Sequence, residues 1–284
     1  MSTLQEHQQV LLELVEEIDR ICQKHDIPYV LFAGSSLGAV RHQGFIPWDD
    51  DVDLAMLRKD YERFLEVAPK EIDPEKYYVQ AEYSDHWPMY YTKFRKNNTA
   101  CIEKHHPKDK KVHQGIYVDI CPCDNAKDNA FLRKMQFYAS RVVIAKSMAK
   151  KGYETDSVAK KIIMVLSHLF PNRLFHRIAV NRKDVNSKMV HSFFGGTSRY
   201  EKGQYPREWL TERVMMPFAH LTVPVSAHYD EMLTTQYGDY MRIPSEEERK
   251  CKVHAVLVDT EHSYEKYIDY QDNMTIEEYS RSIR

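Results

Sequence analysis

Four carboxylates fall within five positions of the run Trp48-Asp49-Asp50-Asp51-Val52-Asp53-Leu54. Like charges this close repel, so a plain surface turn gains nothing from them. Asp51 and Asp53 stand two apart on what reads as a strand, which puts both side chains on one face. Two carboxylates side by side suit a hard divalent cation with oxygen ligands, Mg²⁺ first and Mn²⁺ second. The bland alternative is an acidic turn before a strand. A third acid weighs against it: Asp119, in Gly115-Ile116-Tyr117-Val118-Asp119-Ile120, is flanked by apolar neighbours. A buried acid is costly unless it is paired or binds a cation. Three carboxylates can hold two metals ~3.5–4 Å apart across an in-line phosphoryl displacement.

An upstream Gly-Ser element fits the same chemistry. Gly34 lets the backbone approach a ligand without a Cβ in the way. Ser35 and Ser36 add hydroxyls, and the helix that follows adds unpaired N–H groups, together a cradle for a phosphate. Gly-Ser alone is a weak signal; Gly-Ser followed by Asp-x-Asp on the next strand is a strong one.

These residues need elements to hold them. Leu4, Val10, Leu11, Leu14, Val15, Ile18 and Ile21 recur at helical spacing, and Asp26-Ile27-Pro28 ends that helix. Tyr29 to Ala33 reads as a short strand, Gly34-Ser35-Ser36 as a turn, Leu37 to Arg41 as a helix, and Val52 to Met56 as a strand. Asp60 to Val67 reads as helical; Tyr77 to Gln80, Tyr90 to Arg95 and Ile116 to Cys121 read as strands. From Asn129 to Met189 the period is helical, with a break expected at Gly195-Gly196. Tyr229 to Tyr237 reads as a helix and Ala255 to Val258 as strand-like. The expectation is an α+β fold: a mixed β-sheet core flanked by helices, and a mainly helical C-terminal half. It divides into a catalytic core (1–124), a helical region (125–200) and a C-terminal region (201–284) that completes the cleft.

The composition bounds the function. The 284 residues are 43% apolar, enough for a substantial core. Lys+Arg 40 against Asp+Glu 42 gives no basic field for nucleic acid, so a polymerase is disfavoured. The basic run 104–111 reads as a solvated loop. Five cysteines form no disulfide framework, which points to a reducing compartment. No secretory signal or membrane-spanning run is expected, so the chain is expected in the cytoplasm, with peripheral contact at the inner membrane face left open. Cys121-Pro122-Cys123 with His105, His106 and His113 invites a zinc reading, but the Cys-x-Cys gap is not a zinc spacing.

The pattern apolar-Gly-Ser, Asp-Val-Asp-Leu and Val-Asp-Ile is similar to the DNA polymerase β-like nucleotidyltransferase superfamily. The longer stretch from Gly34 through Arg41-His42-Gln43-Gly44-Phe45-Ile46-Pro47 to Asp53 closely resembles the LicD family, which includes bacterial phosphocholine transferases and is related to fukutin and fukutin-related protein. Lys93-Phe94-Arg95 before Thr99, Asp119-Ile120 leading to Pro122 and Asp124, Tyr237-Gly238-Asp239-Tyr240-Met241 with Pro244, and His254 add to the resemblance. It implies a nucleotidyltransferase-like core and transfer of a phospho-alcohol, phosphocholine foremost, from a CDP-alcohol donor. The acceptor would be a hydroxyl of a cell-surface glycan, lipopolysaccharide or teichoic acid precursor. The 15 residues between Ser35 and Asp51 form a longer connection than ordinary nucleotidyltransferases carry.

Asp51, Asp53 and Asp119 are then the expected catalytic metal ligands. Asp49 is within reach of the metal, and Asp50 stands behind it. Ser35 and Ser36 are expected on the donor phosphates. Arg41, Lys93 and Arg95 are candidates to neutralise pyrophosphate or leaving nucleotide. Trp48 would stack on a base, face a choline, or simply pack. Tyr237-Gly238-Asp239 reads as a helix end before it reads as a donor-site wall. His254 reads as a core residue. Two alternatives stand: a nucleotidyltransferase acting on a small phosphorylated alcohol or sugar, and a catalytically dead binding domain. The three acids argue against the second.

Overall fold

The computed structural model describes residues 2–84, 86–103, 111–153, 157–194, 199–245, 248 and 255–267. Gly195-Gly196, His105, His106, Cys251 and His254 lie outside the described residues. Helix α1 (Leu4–Lys24) starts on a Thr3–Glu6 capping box and buries Leu11, Leu14, Val15, Ile18 and Ile21. Then follow β1 (Val30–Leu31), α2 (Ala33–His42), β2 (Asp53–Leu57), α3 (Arg58–Glu71), β3 (Tyr77–Gln80), β4 (Thr92–Lys96), β5 (Ala100–Glu103) and β6 (Tyr117–Asn125). The helices α4 (Ala130–Lys151), α5 (Val158–Ser167) and α6 (Asn172–Ala179) form the middle of the chain. Beyond them strands and short helices alternate: β7 (Met189–His191), β8 (Gln204–Pro206), α7 (Glu208–Thr211), β9 (Arg213–Phe218), β10 (Leu221–Ser226), α8 (Tyr229–Tyr237) and β11 (Ala255–Asp259). The fold is α+β, and this last part is richer in strand than its polar, Tyr-rich sequence suggests.

The sheet runs β1-β2-β6-β4-β3, with β7 and β8 continuing from β6. Among the described strands of this sheet, β2 and β6 are the one parallel pair. Leu54, Phe94, Val118 and Ile120 join α1 and α3 in one core, and Phe218, Val223 and Val225 of the β9–β10 hairpin pack into it. Residues from both ends of the chain therefore share a core. Asp50 adds a second tie: its Oδ2 accepts the Ala255 N–H at 2.8 Å and so anchors β11.

Two elements differ from the expectation. Gly34, Ser35 and Ser36 lie in the first turn of α2 rather than in a separate turn. Ala33 takes a positive φ of 47°, which bends the chain one residue early. The Ser35 and Ser36 N–H groups then both bond the Phe32 carbonyl. Strand β2 begins at Asp53, so Asp51 sits just ahead of it, although the Asp119 N–H already reaches Val52 O at 2.9 Å.

Buried histidines add a pH dependence. His7 is 2% exposed, and burial, opposed by Asp50, holds its imidazole at about 4 against an ordinary 6.5. The unfolded chain therefore takes up a proton below about 6.5 that the folded chain refuses until about 4, so stability falls as pH drops through that window. The His7→Gln variant should lose roughly 2 kcal/mol less than the parent between about pH 7 and pH 5 in chemical denaturation. Identical losses would show that His7 is not the titrating group.

Candidate active site

Parallel pairing of β2 with β6 sets Asp53 directly opposite Asp119. Antiparallel pairing of β4 with β6 sets Lys93 opposite Asp119 and Arg95 opposite Tyr117. Residues paired across adjacent strands face the same side. Asp53, Asp119 and Lys93 therefore form one row across the sheet, on the face turned away from α1 and α3. Helix α2 is pinned to this row: the Asp53 N–H donates to Ser35 Oγ at 2.8 Å. Gly34 sits against the acids too, since a Cβ there would stand 3.1 Å from Asp49 Oδ2. Gln8 of α1 donates to the Asp49 carbonyl at 3.0 Å and steadies the acidic loop.

The electrostatics of the row are unbalanced. Burial raises the Asp53 carboxyl well above the usual carboxylate range. The charges of Asp51, Asp119 and Asp49 push the same way, and only Lys93 opposes. Asp119 is raised as well, by burial and Glu103 against Lys93. Its Oδ1 lies 3.0 Å from Lys93 Nζ but outside hydrogen-bonding geometry, and that oxygen has no hydrogen-bond partner among the described residues. An excess of carboxylate charge with an underused buried oxygen is the donor chemistry that a divalent cation relieves. Asp49, Asp51, Asp53 and Asp119 would hold it. Among the described residues, no three His, Cys, Asp or Glu side chains yet converge on one metal position. The acids are gathered as neighbours, and a cation would have to draw them inward. His113, one of the zinc candidates, is held otherwise: its Nε2 meets Asn97 and its Nδ1 accepts the Gly115 N–H.

A cavity of about 600 Å³ opens over the acidic loop. Asp49, Asp51 and Asp53 line one side with Gly34 and Arg41. Trp48, Tyr237 and Tyr240 line it too, with Asp239 and Arg242. Arg41 Nη1 donates to the carbonyls of Tyr240 and Arg242, at 2.5 and 3.2 Å, and so clips the C-terminal segment over α2. Trp48 is half-buried, edge-on to His42, and packs with Leu37, Ile46 and Leu233. Tyr237, itself 42% exposed, lines the cavity with the acids, and desolvation of its hydroxyl together with the charges of Asp53, Asp49 and Asp51 raises its phenol.

The other expected contacts lie elsewhere. Ser35 and Ser36 are buried and do not line the cavity, and the Ser35 hydroxyl already holds Asp53. Lys93 is fully buried between Asp119 and Glu103, its ammonium 3.0 Å from the Tyr117 ring centroid. Arg95 donates to Gln80 and to the Gly115 carbonyl. Neither cation reaches the cavity wall, because a cation inside a sheet is held by the nearest acceptors it can find. Of the three expected phosphate-neutralising cations, Arg41 alone lines the cavity. Glu103 went unnoticed in the sequence; ten residues from Lys93, it shows no spacing that marks the pair.

Residues 26–151 match the LicD/FKTN/FKRP nucleotidyltransferase domain. The chain is 29% identical to the lipopolysaccharide cholinephosphotransferase LicD of Haemophilus influenzae over 258 residues, covering 87% of this chain and 95% of that protein. An uncharacterised protein of Rickettsia typhi is 32% identical over 136 residues, 45% of this chain and 39% of its own length. The chain carries a LicD-type nucleotidyltransferase domain over residues 26–151, and its similarity along most of its length to a LicD cholinephosphotransferase supports an enzyme of that transferase type.

Proposed function

We propose that this LicD-type enzyme transfers phosphocholine from a CDP-linked donor to a hydroxyl of a cell-surface glycan precursor. One observation carries the reading. The same cavity joins carboxylates, Asp49, Asp51 and Asp53, to three aromatic side chains, Trp48, Tyr237 and Tyr240. Acids that gather a divalent cation suit a pyrophosphate. Aromatic faces beside them suit a trimethylammonium group, which cation–π attraction recognises. The Haemophilus relative, named for choline phosphate transfer to lipopolysaccharide, supports the same transferred group and acceptor class.

The reaction is a displacement at phosphorus. The acceptor oxygen forms a bond to the phosphorus that carries choline, the bond from that phosphorus to the bridging oxygen breaks, and CMP leaves. The hydroxyl proton passes to a carboxylate on the acidic wall. Mg²⁺ would supply charge neutralisation on the phosphate oxygens. Arg41 adds a fixed positive charge at the cavity, and Ser35 holds the strand that carries Asp53. Tyr237 and Tyr240 form cavity wall beside the donor.

Mg²⁺-dependent CMP release from CDP-choline, compared with CDP-ribitol, CDP-glycerol and nucleoside triphosphates, tests the proposal. CDP-choline should be the preferred donor. Trp48→Leu should lower kcat/KM for it by roughly 10- to 30-fold while leaving the residual rate with CDP-glycerol unchanged. Pyrophosphate release from a triphosphate, with no CMP release from any CDP-alcohol, would move the enzyme to nucleotidyl transfer.

A further inference from the structure

The helices α4 to α6 carry a surface that the cavity does not use. Helix α5 has ten residues and buries only Ser167. Its Val158, Ile162 and Val165, with Leu169 just beyond its end, follow a four-three-four spacing that aligns them on one face. All four are exposed, Val165 at 69% and Leu169 at 78%. Lys160 and Lys161 flank this stripe on the same helix. A second apolar feature lies between α4 and α6. There Leu132, Met135 and Leu174 line a groove of about 760 Å³, and Arg173, Arg177 and Arg182 line it with them. Leu132, Met135 and Leu174 are themselves about half exposed. Exposed apolar side chains aligned on one helix face, with basic residues beside them, mark an interaction site.

The charge on these helices selects what covers them. From Ala130 to Ala179 the chain has ten Lys and Arg against two acids, Glu154 and Asp156, in a protein whose net charge is −2. A second copy of the same face would bring like charge against like charge. An anionic bilayer satisfies both properties at once, with apolar side chains entering the acyl boundary and lysine and arginine meeting lipid phosphates. No helix among the described residues is long and apolar enough to cross a membrane.

We infer that the α4–α6 face is a peripheral docking surface for anionic phospholipid, with the α5 stripe as its apolar insert. Co-sedimentation of the full chain with vesicles tests this without reference to turnover. Vesicles of phosphatidylcholine with about one-third phosphatidylglycerol should bind the protein at least roughly tenfold more tightly than phosphatidylcholine alone, and salt should weaken the binding. Ile162→Glu with Val165→Glu should reduce that binding at least roughly tenfold, because two charges then enter the acyl boundary. Both side chains are exposed, so the melting temperature should not move. Arg173→Glu with Arg177→Glu should abolish the preference for anionic lipid. Absence of binding to anionic vesicles, or unchanged binding by both variants, would overturn the inference. So would sedimentation equilibrium that shows a dimer dissociated by the α5 variant without any vesicle binding.

Discussion

Asp53→Asn lowers kcat by at least about a thousandfold and, in EDTA, raises the melting temperature. The two effects share one cause. Asp53 is half-buried and largely desolvated, with Asp51, Asp119 and Asp49 around it and Lys93 opposing. That crowding raises its carboxyl above the ordinary range, so the folded protein holds a proton more tightly than the unfolded chain does. A group shifted this way contributes fully below the unfolded value of about 3.8 and becomes a penalty as pH rises through the folded value. Removing the charge relieves the penalty at neutral pH. The gap in melting temperature between variant and parent should therefore close near and below about 3.8 and be widest at high pH. Mg²⁺ should stabilise the parent by binding the native state and should do so far less in the variant. A variant that keeps most of its turnover and its Mg²⁺-dependent stabilisation would remove Asp53 from the proposed metal site.

The acidic half of this site was legible in the sequence because charge repulsion is a local signal. Four acids in five positions need a reason, and Asp119 between apolar neighbours needs one too. The strand register then does what no spacing can state, pairing Asp53 with Asp119 across a parallel contact. The Gly-Ser element was legible as an element but not in its details. Gly34 is a close neighbour of the Asp49 carboxylate, whereas Ser35 serves the backbone of Asp53. A hydroxyl near a ligand site and a hydroxyl that ties a helix to a strand look the same in a sequence. The aromatic wall was half visible. Trp48 stands beside the acids in the chain, but Tyr237 and Tyr240 arrive from nearly two hundred residues away, brought by α8 and by the carbonyl contacts of Arg41. The β9–β10 hairpin was not read at all, because Pro217 and Pro224 and its exposed apolar residues blur the alternation that marks a strand.

Lys93→Met is expected to destabilise the protein by about 3–5 kcal/mol, lowering the melting temperature by roughly 6–10 °C. The sequence suggested a cation for the donor's phosphates; the fold uses it inside. Lys93 Nζ stands 3.0 Å from Asp119 Oδ1 and 3.2 Å from Glu103 Oε1, with its side chain 1% exposed. Burial opposes ionisation of Glu103, yet Lys93, Lys151 and the Tyr117 hydroxyl together hold its carboxyl far below the usual range. A group depressed in this way contributes stability above its unfolded value of about 4.5 and loses it as pH falls through the folded value. Without Lys93 most of that contribution goes, and two carboxylates remain buried with Lys151 as the cation paired to Glu103. The deficit should therefore be largest near neutral pH and shrink on acidification, as Glu103 and Asp119 take up protons. Glu103→Gln in the same chain should restore part of the loss, a coupling that a double-mutant cycle measures directly. Activity separates the two roles of the lysine. A donor-binding Lys93 would leave the melting temperature unchanged and raise KM; a positioning Lys93 would lower stability first, with kcat falling because Asp119 is no longer held beside Asp53.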